Sequence, residues 1–160
     1  MIQRVQSIFL GLVALLMALV AGFNYWQKAA MDGTSKIYLN AIGRAIMEKG
    51  EPQANLEYFP YTFVAVLALL SCGIAVYELF QYKNRLLQLK LGAFNSLFMG
   101  GVLVLMVVFI NQNEDVIDAG RRVMPRIGFY FPVGAMICNI IANRFIRKDE
   151  KLVRSADRMR

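Results

Sequence analysis

Apolar and polar positions along this chain are arranged in long blocks. Four stretches contain no Asp, Glu, Lys or Arg: Val5 to Gln27 (23 residues), Tyr58 to Tyr77 (20), Leu91 to Asn113 (23) and Ile127 to Asn143 (17). A helix needs roughly 20 residues to cross about 30 Å of hydrocarbon. The blocks therefore predict membrane spans at about residues 5–26, 58–80, 91–112 and 127–146, the fourth completed by Phe145 and Ile146. A three-span chain is the alternative if the short, Pro132-containing fourth block fails to cross. Arg4 followed by an apolar run and the small residues from Ala18 to Gly22 has features of a signal peptide, but the run is long for one, so an uncleaved first span is expected.

Between the first two blocks, residues 28–57 form the longest polar connection. Thr34-Ser35 reads as a helix start and Gly50-Glu51-Pro52 as a stop. Tyr38, Ile42, Ala45 and Ile46 then share one face of a helix over 36–49, lying on the membrane or capping the bundle, with a partner-binding helix as the alternative. The last fourteen residues, 147–160, read RKDEKLVRSADRMR. As a helix they place Phe145, Leu152, Ala156 and Met159 along one stripe, and Arg154 within i,i+4 or i,i+3 reach of Glu150 and Asp157. The expected fold is all-α: a four-transmembrane-helix bundle over 1–146, with a short outer-loop helix and a cytoplasmic amphipathic C-terminal helix.

Composition agrees, since 58% of residues are hydrophobic against roughly 45–50% in soluble domains. The placement of charge sets an orientation. Four spans put both termini and the 78–90 connection on one side, which holds eleven basic and four acidic residues; the other side holds seven of each. The positive-inside rule then makes both termini cytoplasmic, as for a multi-pass protein of the inner membrane. Tyr25, Trp26, Tyr58, Phe59, Tyr61, Phe129 and Tyr130 fall at the predicted outer boundary, where amphipathic rings are favoured.

Helices in lipid associate through close packing, and small residues recur at helical spacing in each span: Ser7, Gly11, Ala14, Ala18 and Ala21; Ala65, Ala68, Cys72 and Ala75; Gly92, Ser96 and Gly100; Gly134, Cys138 and Ala142. The two cysteines fit this packing role. A disulfide would need their Cα atoms within about 7 Å, which sequence does not establish.

The chain contains no histidine, which removes His-ligated haem, the usual zinc sites and His-based triads. It also lacks a phosphate-binding loop, a CxxC pair, a GxSxG elbow and a clear internal repeat. No catalytic residue, metal site or cofactor is expected, and the chain is read as a non-enzyme. Polar residues that remain near the spans gather in their cytoplasmic halves: Arg4, Glu78, Asn95, Asn139, Asn143 and Arg144, with Gln6 beside them. Intramembrane polar groups are functional suspects, so these are expected to converge on a cytoplasm-facing polar vestibule, with Glu78 paired to Arg4 or Arg144; near the interface their expected role is interhelical hydrogen bonding, with a ligand or ion site as the alternative.

In the tail, Arg147, Lys148, Lys151, Arg154, Arg158 and Arg160 are the candidate contacts for anionic lipid or a protein partner. Interspersed Asp149, Glu150 and Asp157 argue against nucleic acid, which favours an unbroken basic surface; a protein can use both signs and the apolar stripe.

The opening MIQRVQSIFLGLVALLMA, the YKNRLLQLKLG connection and the closing IANRFIRKDEKLVRSADRMR resemble the domain-of-unknown-function family numbered 4293, small integral membrane proteins of the Bacteroidota. The resemblance runs nearly end to end and is carried most specifically by MIQR and KDEKLVRSADR. It implies a four-span protein of the cytoplasmic membrane and supplies no catalytic residues. The functional expectation is an accessory or assembly subunit of a larger membrane complex, with membrane lipids and a protein as partners; the alternative is a small transporter or channel using the polar cluster.

Overall fold

The computed structural model describes residues 2–29, 35–48, 55–82, 84–114 and 124–158. In chain order the elements are α1 (Ile2–Val20), β1 (Asn24–Ala29), β2 (Ser35–Asn40), β3 (Arg44–Glu48), β4 (Asn55–Glu57), α2 (Thr62–Phe80), α3 (Arg85–Glu114), β5 (Met124–Pro125) and α4 (Ile127–Arg158). The protein is mostly helical. Three helices are long and apolar enough to cross a membrane, over Thr62–Phe80, Arg85–Glu114 and Ile127–Val153, and Gln6–Val20 is a shorter apolar helix. The helices pack in a ring: α1 and α3 each contact both α2 and α4.

Helix contacts follow the side chains that each sequence can bring close. On α2 the buried face includes Val64, Ala65, Ala68, Ser71, Ala75 and Glu78, largely the predicted small-residue row. On α3 it includes Gln88, Gly92, Asn95, Met99, Val102 and Met106. On α1, by contrast, Gln6, Leu10, Val13, Ala14, Met17 and Val20 are buried while Ala18 is exposed. Of the predicted small residues of α1 only Ala14 is buried; the larger apolar residues fill most of its packed face.

The expected all-α fold is corrected by a five-stranded antiparallel sheet, in the order β4-β3-β2-β1-β5. The expected 36–49 helix is the hairpin of β2 and β3, paired from Ser35↔Glu48 to Leu39↔Arg44. Alternation is the physical reason: Ile37 and Leu39 are buried while Lys36 is exposed, which is the period of a strand. The turn reverses the chain where the predicted helix needed continuity. Asn40 Oδ1 accepts from the amides of Ile42 (3.0 Å) and Gly43 (2.7 Å), and the Asn40 amide donates to the Gly43 carbonyl at 3.1 Å. The expected boundary residues Thr34 and Gly50 to Pro52 lie outside the described residues.

The first span is likewise shorter than expected, because α1 ends at Val20 and the chain enters β1. A register shift between Asn24 and Trp26 turns consecutive residues Tyr25 and Trp26 inward, the usual effect of a bulge. Both are fully buried, as is Tyr61 nearly so, so these three rings are core rather than boundary residues; Tyr58, Phe59 and Tyr130 remain exposed.

Two glycines permit close backbone approaches, Gly43 between the β2–β3 turn and the end of β4, and Gly128 between α4 and the start of β1. A Cβ on Gly43 would lie 2.6 Å from the Glu57 carbonyl oxygen, and one on Gly128, in the first turn of α4, 2.7 Å from that of Asn24. Backbone cannot yield as a flexible side chain does, so Gly43→Ala and Gly128→Ala are each expected to cost about 1–3 kcal/mol. Around Gly73 on α2 nothing approaches within 4 Å, and Gly73→Ala should lose no stability. Thermal unfolding in detergent checks all three; an unshifted midpoint for Gly43→Ala and Gly128→Ala would remove this account of the two close approaches.

Candidate functional site

Six polar side chains from all four helices are buried together inside the bundle: Gln6, Ser71, Glu78, Gln88, Asn95 and Asn139, each 4% exposed or less. On α2, Ser71 and Glu78 are seven residues apart, and on α3 so are Gln88 and Asn95. Seven residues are two helical turns, so the antiparallel pair meets in two polar layers. In one, Ser71 Oγ donates to Asn95 Oδ1 at 2.6 Å. In the other, Gln88 Nε2 donates to the Glu78 backbone carbonyl at 3.1 Å, and Gln6 Nε2 crosses the ring from α1 to donate to Gln88 Oε1 at 2.7 Å.

The α3–α4 seam is joined separately. Asn139 Nδ2 donates to the Gly92 carbonyl at 2.8 Å and to Ser96 Oγ at 2.9 Å, while Ser96 Oγ donates to the same carbonyl at 3.0 Å. Asn143 covers Gly92 so closely that a Cβ there would sit 2.3 Å from its Oδ1. Glycine at 92 is therefore what lets the amide of Asn143 lie on the backbone of α3.

Glu78, Asn95 and Asn139 are thus brought into the interior, as the sequence led us to expect, and Asn143 lies at its edge. Among these six groups, Ser71–Asn95 and Gln6–Gln88 are joined side chain to side chain, which forms two interhelical polar layers. Glu78 does not pair with Arg144, which is exposed on the far side of the α3–α4 seam. Both Glu78 carboxylate oxygens have no hydrogen-bond partner among the described residues, and neither do Asn95 Nδ2, Asn139 Oδ1 and Asn143 Oδ1. Arg4 belongs to α1, but its side chain lies outside the described residues, and with it the expected Glu78–Arg4 pair.

In the tail, α4 continues unbroken to Arg158. Arg147, Lys148 and Lys151 are exposed; the side chains of Arg154 and Arg158, the whole of Arg160 and the predicted Arg154 ion pairs lie outside the described residues. Leu152, placed on the expected stripe, is exposed as well. Cys72 and Cys138 are free thiols, half-buried on α2 and α4, which face each other diagonally across the ring. Among the described residues no three His, Cys, Asp or Glu side chains gather as metal ligands.

Sequence reasoning missed Ser71 and Gln88, whose signal was the shared seven-residue spacing to Glu78 and Asn95. It also missed a second polar cluster, where the sheet meets the opposite end of the bundle. Lys28, 2% exposed, donates from Nζ to the Glu114 carbonyl at the last residue of α3, a favourable place for a cation because a helix C-terminus carries partial negative charge. Arg44 joins Glu57 at 2.6 Å and donates from a terminal nitrogen to Asn113 Oδ1 at 2.8 Å, and Asn113 Nδ2 donates to the Tyr61 hydroxyl at 3.0 Å and the Phe109 carbonyl at 2.7 Å. Burial, with Tyr61 nearby, pushes the Tyr25 hydroxyl well above the usual phenol range, so Tyr25 stays neutral. This cluster anchors β3 and β1 to α3.

Burying a carboxylate without a counter-charge is costly, and its amide isostere removes the charge without changing its shape. Glu78→Gln is therefore expected to keep or raise the thermal midpoint in detergent; a fall of several degrees would reveal a charged partner. For the Ser71–Asn95 bond, a double-mutant cycle with Ser71→Ala and Asn95→Ala should give a coupling of about 0.6 kcal/mol, the average for such bonds within membrane proteins. A coupling indistinguishable from zero would show that the bond does not hold α2 to α3.

No curated protein matches the chain. The family model of the domain of unknown function DUF4293 matches residues 2–159, essentially the whole sequence. Apart from Met1 and Arg160, the opening, the connection and the charged close that carry the resemblance fall inside that match, and the chain belongs to the DUF4293 family.

Proposed function

We propose that this protein crosses the cytoplasmic membrane four times, with both termini and the α2–α3 connection in the cytoplasm, and serves as an accessory or assembly subunit of a larger membrane complex. Large apolar side chains exposed around the ring, among them Ile8 and Leu15 on α1, Leu69 on α2, Leu97 on α3 and Ile137 on α4, support a lipid-facing perimeter. The excess of Lys and Arg beside the ends of the spans on one side supports the orientation. A periplasm-active reporter fused after Arg160 is expected to be inactive; activity there would reverse the topology.

The observation that carries the subunit reading is the end of α4. Its 32 residues rise about 48 Å, beyond the roughly 30 Å hydrocarbon core, and the projecting turns expose Leu152 (53%) and Val153 (45%) beside Lys148 and Lys151. Apolar side chains on a charged, solvent-exposed helix suit a protein surface better than a purely electrostatic attachment to lipid. Mild-detergent purification at native expression should recover one reproducible co-purifying species that is lost from Leu152→Glu/Val153→Glu. Recovery of the protein alone would sink the proposal.

A transporter is the second reading, favoured by the carboxylate of Glu78 in the bundle interior, which has no hydrogen-bond partner among the described residues. It requires Glu78→Gln and Asn139→Leu to change flux in reconstituted vesicles, and unchanged flux in both variants would remove it. Neither reading assigns a catalytic role to any residue.

A further inference from the structure

We propose that the outer side of the α3–α4 seam is a binding site for an anionic phospholipid, with Arg144 and Arg147 holding its headgroup. The proposal rests on the membrane reading above. A groove of about 430 Å³ lies there, lined by Ala93, Ser96, Ile140, Asn143, Arg144 and Arg147. Its position follows from helical geometry at about 100° per residue. Measured from the inward-facing Asn139, residues 140, 143, 144 and 147 fall between about 40° and 140° around α4, and residues 93 and 96 fall in the same range around α3 measured from buried Gly92. The groove is therefore the lipid-side margin of the seam that Asn139 closes from within.

Its chemistry is graded along the membrane normal. Ile140 lies seven residues before Arg147, about 10 Å farther from the cytoplasmic end of α4. Beyond it the same side carries the exposed side chains of Leu97 and Ile137. At the other end stand two arginines, with no acidic side chain lining the groove. Paired guanidinium groups suit a phosphate oxyanion, and the apolar continuation suits the attached acyl chain. A free phosphate would use only the basic end. Two cations without a lining acid favour a lipid of net negative charge over a zwitterionic one.

Asn143 and Ser96 complete the floor. Ser96 is held by Asn139 and the Gly92 carbonyl, and Asn143 lies against Gly92, so both polar groups are positioned by the packed seam before any lipid arrives. Preorganisation lowers the cost of ordering a binding site.

The test is native mass spectrometry of the full chain released from micelles containing equal amounts of phosphatidylglycerol and phosphatidylethanolamine. The expected result is retained phosphatidylglycerol in about tenfold preference, undiminished by added inorganic phosphate. Arg144→Gln/Arg147→Gln and, independently, Ala93→Leu, which blocks the groove while keeping its charges, should each reduce the preference about tenfold. Lys148→Gln/Lys151→Gln should retain it. Full preference in both groove variants, an equal loss in the Lys148/Lys151 variant, or displacement by inorganic phosphate would overturn the site. Extraction of wild-type membranes with alkaline carbonate separates the underlying reading: release of the chain would reject membrane integration itself, whereas a retained chain without lipid preference would reject only the groove.

Discussion

The Gly92 carbonyl, shared by Asn139 and Ser96, sets the constraint on which the bundle depends. In the membrane setting proposed above, lipid offers a helix no water to bind its polar side chains and little incentive to hide apolar ones. Asn139 must therefore spend its amide on a neighbouring helix, and α3 must come close enough to receive it. Glycine at 92 admits the side chain of Asn143 beside that carbonyl. Ser71–Asn95 and Gln6–Gln88 solve the same problem on the adjoining seam and across the ring. Polar contacts in lipid are individually modest, about 0.6 kcal/mol on average, so their distribution over all four helices matters more than any one of them.

At the other end of the bundle, the sheet meets the helices through charge and backbone, with Gly128 letting α4 approach the start of β1. Lys28 on β1 and Arg44 on β3 both reach the last turn of α3, where backbone carbonyls lack partners within the helix. Asn113 ties Arg44 to Tyr61 at the start of α2, and the Ala65 amide donates to the Ala41 carbonyl at the hairpin tip at 3.1 Å. The sheet thus satisfies helix ends as well as its own strands, a role a helix lying flat on the membrane would not perform.

How much of this was legible in the sequence depended on whether the signal was local. Charge-free length located three helices that are apolar enough to cross a membrane, and the inward placement of Glu78, Asn95 and Asn139 followed from where they interrupt apolar runs. The hairpin was misread because Tyr38, Ile42, Ala45 and Ile46 satisfy a helical period while Ile37 and Leu39 satisfy a strand period. Asn40 and Gly43, which reverse the chain, decide between them only through their turn bonds. Lys28 and Arg44 looked like ordinary loop cations, since nothing nearby in sequence foretells a contact with residues 113 and 114. On α1 the small residues misled for a related reason: Ala18 is compatible with close packing but faces outward, while Met17 and Val20 fill the contact.

One helix carries the change from interior to surface chemistry. Along α4, Asn139, Asn143 and Arg147 recur every four residues, and each step turns the side chain about 40° farther around the axis. The row begins buried against α3, passes the edge of the seam at Asn143 and emerges exposed at Arg147. A row confined to the buried face would have placed a guanidinium among apolar helices, at the cost of an uncompensated charge; a row lying wholly outside would have left no amide to close the seam. The four-residue spacing avoids both outcomes and brings a cationic groove directly beside the bond that holds α3 to α4. Asn143 and Ser96 thus belong at once to the lining of the groove and to the seam between α3 and α4.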